Sequence, residues 1–472
     1  MDVLLINPPA QGVYDAIDIK LPPLGLAYIA AVLRENGHTV KIIDLNVEDN
    51  LWELLSEKDW GLVGISCDTN RYPVAMKIAK QIKKYYGCKI IMGGPHVAFF
   101  DRETLNMGMV DYVARGEGEY VTLNLVDALA NNSDFTKVNG ISFIKNGKFT
   151  RTPSAPSIKD LETLPFPARD LLPMDKYKIT RFFGRPITNV LTTRGCPFNC
   201  YFCSSSQFFG LLWRTRSPKN VVDEVEEVMK KYGYNAFAFI DDNFTLNPER
   251  VIKISKEILK RKLNVFWWAF SRVDEVLRNE EMVKWMARSG CKMIFLGIES
   301  VSKKILDAYN KRIFSDDSVK AVKLLRKCGI ATWGSFIIGG LEETKEMILN
   351  TVRFAKVLNP KNVQFSILTP FPGTRLYADA ERENLLIHKN WKYYDGAHAV
   401  LKTKYLKFYE LQYLLKKAYI SFYLRPNRLV KIFPVALKFL IELRGKRKRE
   451  KCIEEMIEQG PAYVSRHKKV YL

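Results

Sequence analysis

Short apolar runs alternate with amphipathic helical patterns twice along this chain, and that alternation limits the fold more than any other feature of the sequence. Val3–Ile6, Val40–Ile43, Leu62–Ser66, Lys89–Met92 and Asp111–Ala114 read as buried strands. Leu24–Glu35 and Val74–Tyr86 read as helices between them, and another helix follows Arg115-Gly116-Glu117-Gly118-Glu119. Strand and helix in this order predict an α/β domain with a doubly wound parallel sheet. Ligands of such sheets sit beyond the carboxyl ends of the strands. The turns at Gly93-Gly94-Pro95-His96 and Gly116–Glu119 follow strands and therefore lie at that edge. The second run begins at Ile187–Leu191 and continues through Ala236–Ile240, Val265–Ala269, Met293–Leu296, Ala331–Ile338 and Val363–Leu368. Six such units predict a partial (β/α)6 barrel whose active site lies at the C-terminal strand ends. A Pro-rich stretch separates the two runs, and a basic helical pattern follows them. The expected divisions are a first domain at 1–138, a linker at 139–182, the partial barrel at 183–390 and a helical C-terminal region at 391–472.

Composition excludes little beyond disorder. The 472 residues are 47% hydrophobic and 26% charged, with a net charge of +22. An excess of Lys and Arg suits anionic lipid, nucleic acid, a phosphorylated substrate or plain solubility. No apolar run reaches the length of a membrane span, and the N-terminus reads as a first strand rather than a signal peptide. The expected location is the cytoplasm, where clustered cysteines serve metals or redox chemistry rather than disulfides.

The strongest chemical signal is Arg194-Gly195-Cys196-Pro197-Phe198-Asn199-Cys200-Tyr201-Phe202-Cys203, which follows the first barrel strand. Three thiolates on one loop can hold three irons of a cubane cluster and leave the fourth iron open. Zinc is the alternative, but it usually takes four ligands, and no fourth Cys or His stands close by.

This CxxxCxxC loop, with an aromatic residue before its last Cys, resembles that of the radical S-adenosylmethionine superfamily. The resemblance implies a 4Fe–4S cluster on Cys196, Cys200 and Cys203, with S-adenosylmethionine on the open iron and an external electron donor. It implies further cofactor contacts at the strand ends: Phe202 in the loop, Asp241 and Asp242 toward the amino group, and Arg272 toward the carboxylate. Glu299 and Ser300 then fall where relatives hold the ribose, and Ile338 and Gly339 fall near the adenine. The first domain is similar to the cobalamin-binding domain that precedes many such enzymes, which places Gly93, Gly94, Gly116 and Glu117 at a cobalamin site. No His has Asp two residues before it, so the usual Asp-x-His-x-x-Gly ligand motif is missing. Cobalamin would then lack that lower ligand; the other reading is a domain that has lost the cofactor and only covers the substrate.

The expected activity is radical modification of an unactivated carbon, with cobalamin-dependent methyl transfer leading. The alternative is a cobalamin-independent or non-methylating reaction that forms a C–C bond or ring on a lipid- or isoprenoid-like substrate. From residue 421 onward the chain carries thirteen Lys and Arg against five Glu, including Lys446-Arg447-Lys448-Arg449 beside the largely apolar Leu429–Leu443. Such a segment suits peripheral contact with the inner face of a membrane; a basic helix packed on the barrel fits equally. No nucleic-acid partner is expected, because no RNA-binding module is recognisable.

Overall fold

The computed structural model describes residues 1–12, 19–425, 428 and 452–463. Two seven-stranded sheets organise them. The first contains β1 (Asp2–Asn7), β2 (Thr39–Asp44), β3 (Leu62–Ser66), β4 (Ile90–Gly93), β5 (Tyr112–Ala114), β6 (Ile141–Lys145) and β7 (Lys148–Arg151), in the order β2-β1-β3-β4-β5-β6-β7. Strands β1 to β5 run parallel. Helices cover both faces, so the central strands are apolar throughout. Val3 and Leu5 of β1 pack with helices Leu24–Glu35 and Gly118–Ala130, while Leu4 and Ile6 pack with helix Tyr72–Tyr86 on the opposite face.

This sheet extends beyond the expected boundary at residue 138. Strands β6 and β7 form an antiparallel hairpin on β5. Its turn is Asn146-Gly147, both with positive φ, the usual chemistry of a two-residue hairpin loop. The true connector is shorter and acts as a strap. Ala168 N donates to Ala27 O at 3.0 Å, the Tyr177 hydroxyl donates to Asp44 at 2.7 Å, and Arg169 pairs with Glu224 at 2.7 Å.

The second sheet begins with β8 (Arg181–Phe182) and β9 (Arg185–Val190). A short ribbon follows, β10 (Thr193–Arg194) with β11 (Arg214–Thr215). The sheet resumes with β12 (Ala236–Phe239), β13 (Phe266–Arg272), β14 (Cys291–Glu299), β15 (Ala331–Ile338) and β16 (Asn362–Ile367). From β9 to β16 each strand runs parallel to its neighbour. Since β9 and β16 do not pair, the barrel stays open on one side. Outer helices cover one face of the sheet: on β13, Trp267 and Ala269 are buried, while Phe266, Trp268 and Phe270 remain half-buried toward the lumen.

Helix Phe408–Tyr423 closes the far edge. Its Tyr419 and Tyr423 hydroxyls bond the backbone of Phe365 and Val363 on β16, at 3.0 to 3.3 Å. An exposed strand edge is a template for unwanted pairing, and covering it removes the hazard. Residues 452–463 return to the first sheet, where Trp52 Nε1 donates to Met456 O at 2.8 Å and Ile453, Met456 and Ile457 are buried. The Leu429–Leu443 stretch and the basic run at 446–449 lie outside the described residues. No described helix is long and apolar enough to cross a membrane.

Candidate active site

The cysteine loop leaves the C-terminal end of β9 and is held from below. Thr192 N and Thr193 N donate to Asp241 Oδ1 at 2.6 and 3.1 Å, and the Thr192 hydroxyl bonds Asp241 Oδ2. Burial pushes the Asp241 carboxyl up, and the Arg250 cation opposes that rise. Asp241 therefore anchors the approach to the loop; it is not placed to receive a cofactor amino group, contrary to the expectation from sequence. Asp242 points the other way. It lies near Ser205 and within electrostatic reach of Cys196 and Cys203, and burial pushes it up to about 6.

Gly195 has φ +85°, and a Cβ there would collide with the Leu212 carbonyl oxygen, so the turn into Cys196 requires glycine. Asn310 and Arg375 both donate to Asn199 O, at 3.0 and 3.1 Å, and Tyr201 N donates to Tyr309 O at 3.2 Å. The Phe202 ring meets Tyr309 edge-on at 5.3 Å. Burial pushes the Cys196 thiol up to about 12 and raises Cys203 as well. Such thiols ionise readily only against a metal cation. Among the described residues no three His, Cys, Asp or Glu side chains converge on a single-ion site. A zinc ion needs that convergence, whereas a cubane cluster takes its three thiolates on separate irons.

The other strand-end residues divide. Arg272 lies 3.7 Å over the Phe198 ring of the cysteine loop, and its Nε donates to Asp274 at 3.0 Å. Glu299 is buried and pairs with the buried Lys311 at 2.7 Å. Burial works against the Lys311 charge, but Glu299 outweighs it and holds the ammonium pKa high. Ser300 faces away, with its hydroxyl 3.2 Å from Thr351 on an outer helix. Ile338 is fully buried, and the backbone N–H groups of Gly339 and Gly340 both donate to Glu343 Oε2, at 2.7 and 3.0 Å.

The two domains meet at a buried ion-pair cluster. Glu117 accepts from Arg214 at 2.8 Å on each oxygen, from Ile158 N at 2.7 Å and from Arg194 at 3.3 Å. Arg194 also reaches Glu119 at 2.5 Å. Burial opposes the Glu117 charge, but the arginines outweigh it and hold the carboxyl below its usual range. Its carboxylate is thus engaged by the cysteine-loop segment rather than free for a ligand.

Beside this cluster lies a largely apolar cavity of about 320 Å³. Gly64, Gly93, Gly94 and Gly116 line it from the first sheet, and Arg194, Phe209 and Ile240 line it from the barrel. At Gly94, φ +119°, a Cβ would strike the Cys67 carbonyl, so the chain turns close and leaves room at the sheet edge. His96 is buried among Tyr72, Phe100 and Trp391, outside this lining, and burial alone pushes it down to about 3. His38 pairs with Asp127 at 2.9 Å and does not line the cavity.

The sequence profile of the radical SAM superfamily matches residues 190–355, and that of the B12 binding domain matches residues 12–126. An uncharacterized methyltransferase of Pyrococcus horikoshii, PH0819, is 42% identical over 441 residues, spanning 91% of this chain and 94% of that protein. The chain belongs to the radical SAM superfamily and carries an N-terminal B12-binding domain. The anaerobic magnesium-protoporphyrin IX monomethyl ester cyclase of Rubrivivax gelatinosus is 32% identical over 393 residues, 80% of this chain and 70% of the cyclase. Among solved structures, the cobalamin-dependent S-adenosylmethionine radical enzyme OxsB with aqua-cobalamin and S-adenosylmethionine bound has a TM-score of 0.74. The match covers 98% of this chain and 71% of OxsB at 19% identity. The methyltransferase TsrM from Kitasatospora setae, with cobalamin and a 4Fe–4S cluster bound, scores 0.70 and covers 82% and 75% at 19% identity. At that identity both establish a shared fold.

Several residues of this radical SAM fold escape a reading of the sequence. Lys311 and Glu343 carry no motif of their own and become visible only once helices are packed on the barrel. Arg194 adjoins the first cysteine, a signal in plain view, but its partners lie 75 and 77 residues away. The aromatic residues at 266, 268 and 270 share the period of one strand face, and that alternation is the signal by which a lumen wall can be found in the sequence.

Proposed function

We propose that the protein is a cobalamin-dependent radical S-adenosylmethionine enzyme that methylates an unactivated carbon. The observation that carries this reading is the shared wall of the 320 Å³ cavity, where glycines of the first sheet face the segment that delivers the cysteine loop. The residues suit both groups. Three thiols on one pinned loop match a cluster with an open iron, and a glycine-lined apolar cavity at the carboxyl edge of a parallel sheet matches the nucleotide tail of cobalamin. Once bound, the two groups supply reductive cleavage of S-adenosylmethionine and methyl transfer to carbon. Cys196, Cys200 and Cys203 hold the cluster. Asp242 accepts from the amino group of S-adenosylmethionine, and Arg272, oriented by Phe198 and Asp274, takes its carboxylate. The Glu299–Lys311 pair closes the far side of the site. An external donor supplies the electron. His96 and His38 are engaged elsewhere and do not line the cavity, so neither would serve as a cobalt ligand there.

Anaerobic reconstitution with iron, sulfide and cobalamin, followed by S-adenosylmethionine and a one-electron reductant such as dithionite, tests this directly. Expected are a cluster absorbance, near-equal cobalamin, and production of both S-adenosylhomocysteine and 5′-deoxyadenosine. The likeness to the Rubrivivax gelatinosus cyclase favours a second reading, ring closure without methyl transfer. An active preparation that contains no cobalamin and releases no S-adenosylhomocysteine would select it.

We also propose peripheral membrane contact through the C-terminal region. Phe408, Tyr409, Tyr413 and Ile420 are exposed along helix Phe408–Tyr423, and a basic run follows in sequence. Co-sedimentation with anionic vesicles at low salt is expected and should fade as salt rises; absence of binding at low salt rules the contact out.

A further inference from the structure

The wall of the barrel lumen is unusual in being aromatic. Closed β/α barrels fill this space mainly with Val, Ile and Leu. Here Trp268, Phe270, Phe295 and Trp333 form one connected stack on β13, β14 and β15. The ring centroids are 5.0 Å apart for Trp268–Phe270, 4.9 Å for Phe270–Phe295 and 5.5 Å for Phe295–Trp333. All four remain half-buried. Ala236 and Ala238 on the neighbouring β12 and Ile187 on β9 are buried beneath Phe266 and Trp268. Trp268, Phe270 and Trp333 line a chamber of about 550 Å³, a size suited to a small-molecule ligand. Most of the remaining lining comes from the first domain and is mixed, with Asn7, Asn46, Asp68, Asn70 and Arg71 beside Ala10, Ile19, Leu21, Pro23 and Leu26.

Phe266 stands on the same face of β13 two residues before Trp268, outside the chamber lining and toward the N-terminal mouth of the lumen, and there cations gather. Phe266 opens β13, with the Arg185 guanidinium 3.6 Å above its ring and Lys292 Nζ at 4.6 Å. Phe183 lies 6.5 Å from Phe266, with Lys361 Nζ at 3.8 Å. Arg185 bonds only the backbone and side-chain oxygens of Asn264, at 2.7 and 3.0 Å. Among the described residues no carboxylate lies within ion-pair distance of Arg185, Lys292 or Lys361. Three cations thus stand over two rings at the mouth with no carboxylate beside them among the described residues.

We propose that the substrate is an elongated apolar anion. Its hydrocarbon body lies along the Trp333–Phe295–Phe270–Trp268–Phe266 stack, its carboxylate or phosphate meets Arg185, Lys292 and Lys361, and its reacting carbon faces the cysteine-loop end. This rests on the proposed function, in which the chamber is the substrate site of a radical enzyme. A flat ring system and a flexible chain share the required chemistry, and the experiment separates them.

The test uses the reconstituted full-length enzyme and pyrenebutyrate, read by energy transfer from tryptophan. Pyrenebutanol serves as the uncharged control and oleate as a chain-like competitor. Pyrenebutyrate should bind more tightly than pyrenebutanol. Lys292→Ala combined with Lys361→Ala, both on the barrel rim, should weaken pyrenebutyrate roughly two- to tenfold and leave pyrenebutanol unchanged. Phe270→Ala should weaken both ligands about tenfold. Displacement by oleate assigns a chain; pyrenebutyrate that resists oleate assigns a flat ring. Equal affinity for the acid and the alcohol overturns the anionic end, and unchanged binding in Phe270→Ala overturns the stack. To guard against a barrel perturbed by Phe270→Ala, a second variant, Trp333→Leu, keeps an apolar side chain in the chamber lining and removes its rings. It must weaken pyrenebutyrate while leaving the cluster absorbance intact. Substrate-free formation of 5′-deoxyadenosine is followed in the same samples. Its loss with binding intact refutes the enzyme reading; its retention without binding refutes the substrate class alone.

Discussion

Arg272 shows how packing fixes the direction of one side chain. Its guanidinium is stacked on Phe198 and tied through Nε to Asp274, the orientation on which its proposed role toward a carboxylate depends. Loss of one partner of a buried charge pair costs about 2–5 kcal/mol. Arg272→Ala should therefore weaken S-adenosylmethionine binding in a direct titration while iron content stays unchanged. Glu343 makes a different prediction. Burial raises its carboxyl to about 7 even though Gly339 and Gly340 donate to it. With the folded value above the unfolded one, the neutral form is favoured on folding. The stabilisation it provides is complete below about pH 4.5 and is lost as pH rises through about 7, a span worth at most about 3 kcal/mol. Glu343→Gln should flatten that decline in urea melts run between pH 5 and 8. The two aspartates after β12 show where the sequence stops being legible. Asp241 and Asp242 are equivalent as letters, but successive residues at a strand end point to opposite sides, and only packing shows that Asp241 faces Thr192 and Arg250 while Asp242 faces the cysteines.

At the scale of elements, the link between the glycine turn after β5 and the cysteine loop is the main finding. Glu117 begins a helix of the first domain, yet its carboxylate is held by Arg194 and Arg214 on either side of the loop. Breaking a buried pair by removing one charge costs about 3–5 kcal/mol. Glu117→Gln should lower cobalamin occupancy and cluster occupancy together, measured by absorbance on the same sample. A fall in only one would show that the ion pair does not couple the sites. The strand and helix order is readable from apolar periodicity, and so is the position of the cysteine loop after the first barrel strand. The β6–β7 hairpin escapes that reading because its strands are short and half-polar, although Asn146-Gly147 announces the turn.

For the whole molecule, the two sheets share one hydrophobic core. Ligand binding to the native state alone stabilises it, by about 2.7 kcal/mol at a hundredfold excess over Kd. Cobalamin should accordingly raise the melting temperature of both domains as one transition; separate transitions would refute a common unit. The return of residues 452–463 is not legible in the sequence, because the Trp52–Met456 bond spans 404 positions and no local pattern announces it. That return has a consequence for biosynthesis. The face of the first sheet around Trp52, Tyr72 and His96 is covered by Trp391, Tyr394, Ile453, Met456 and Ile457, all of which leave the ribosome hundreds of residues after β1. Domains tend to fold as they emerge, but this one waits with an apolar face uncovered until residues 452–463 have been made. A protein cut before residue 452 should therefore accumulate as a chaperone-bound species rather than as a merely inactive enzyme.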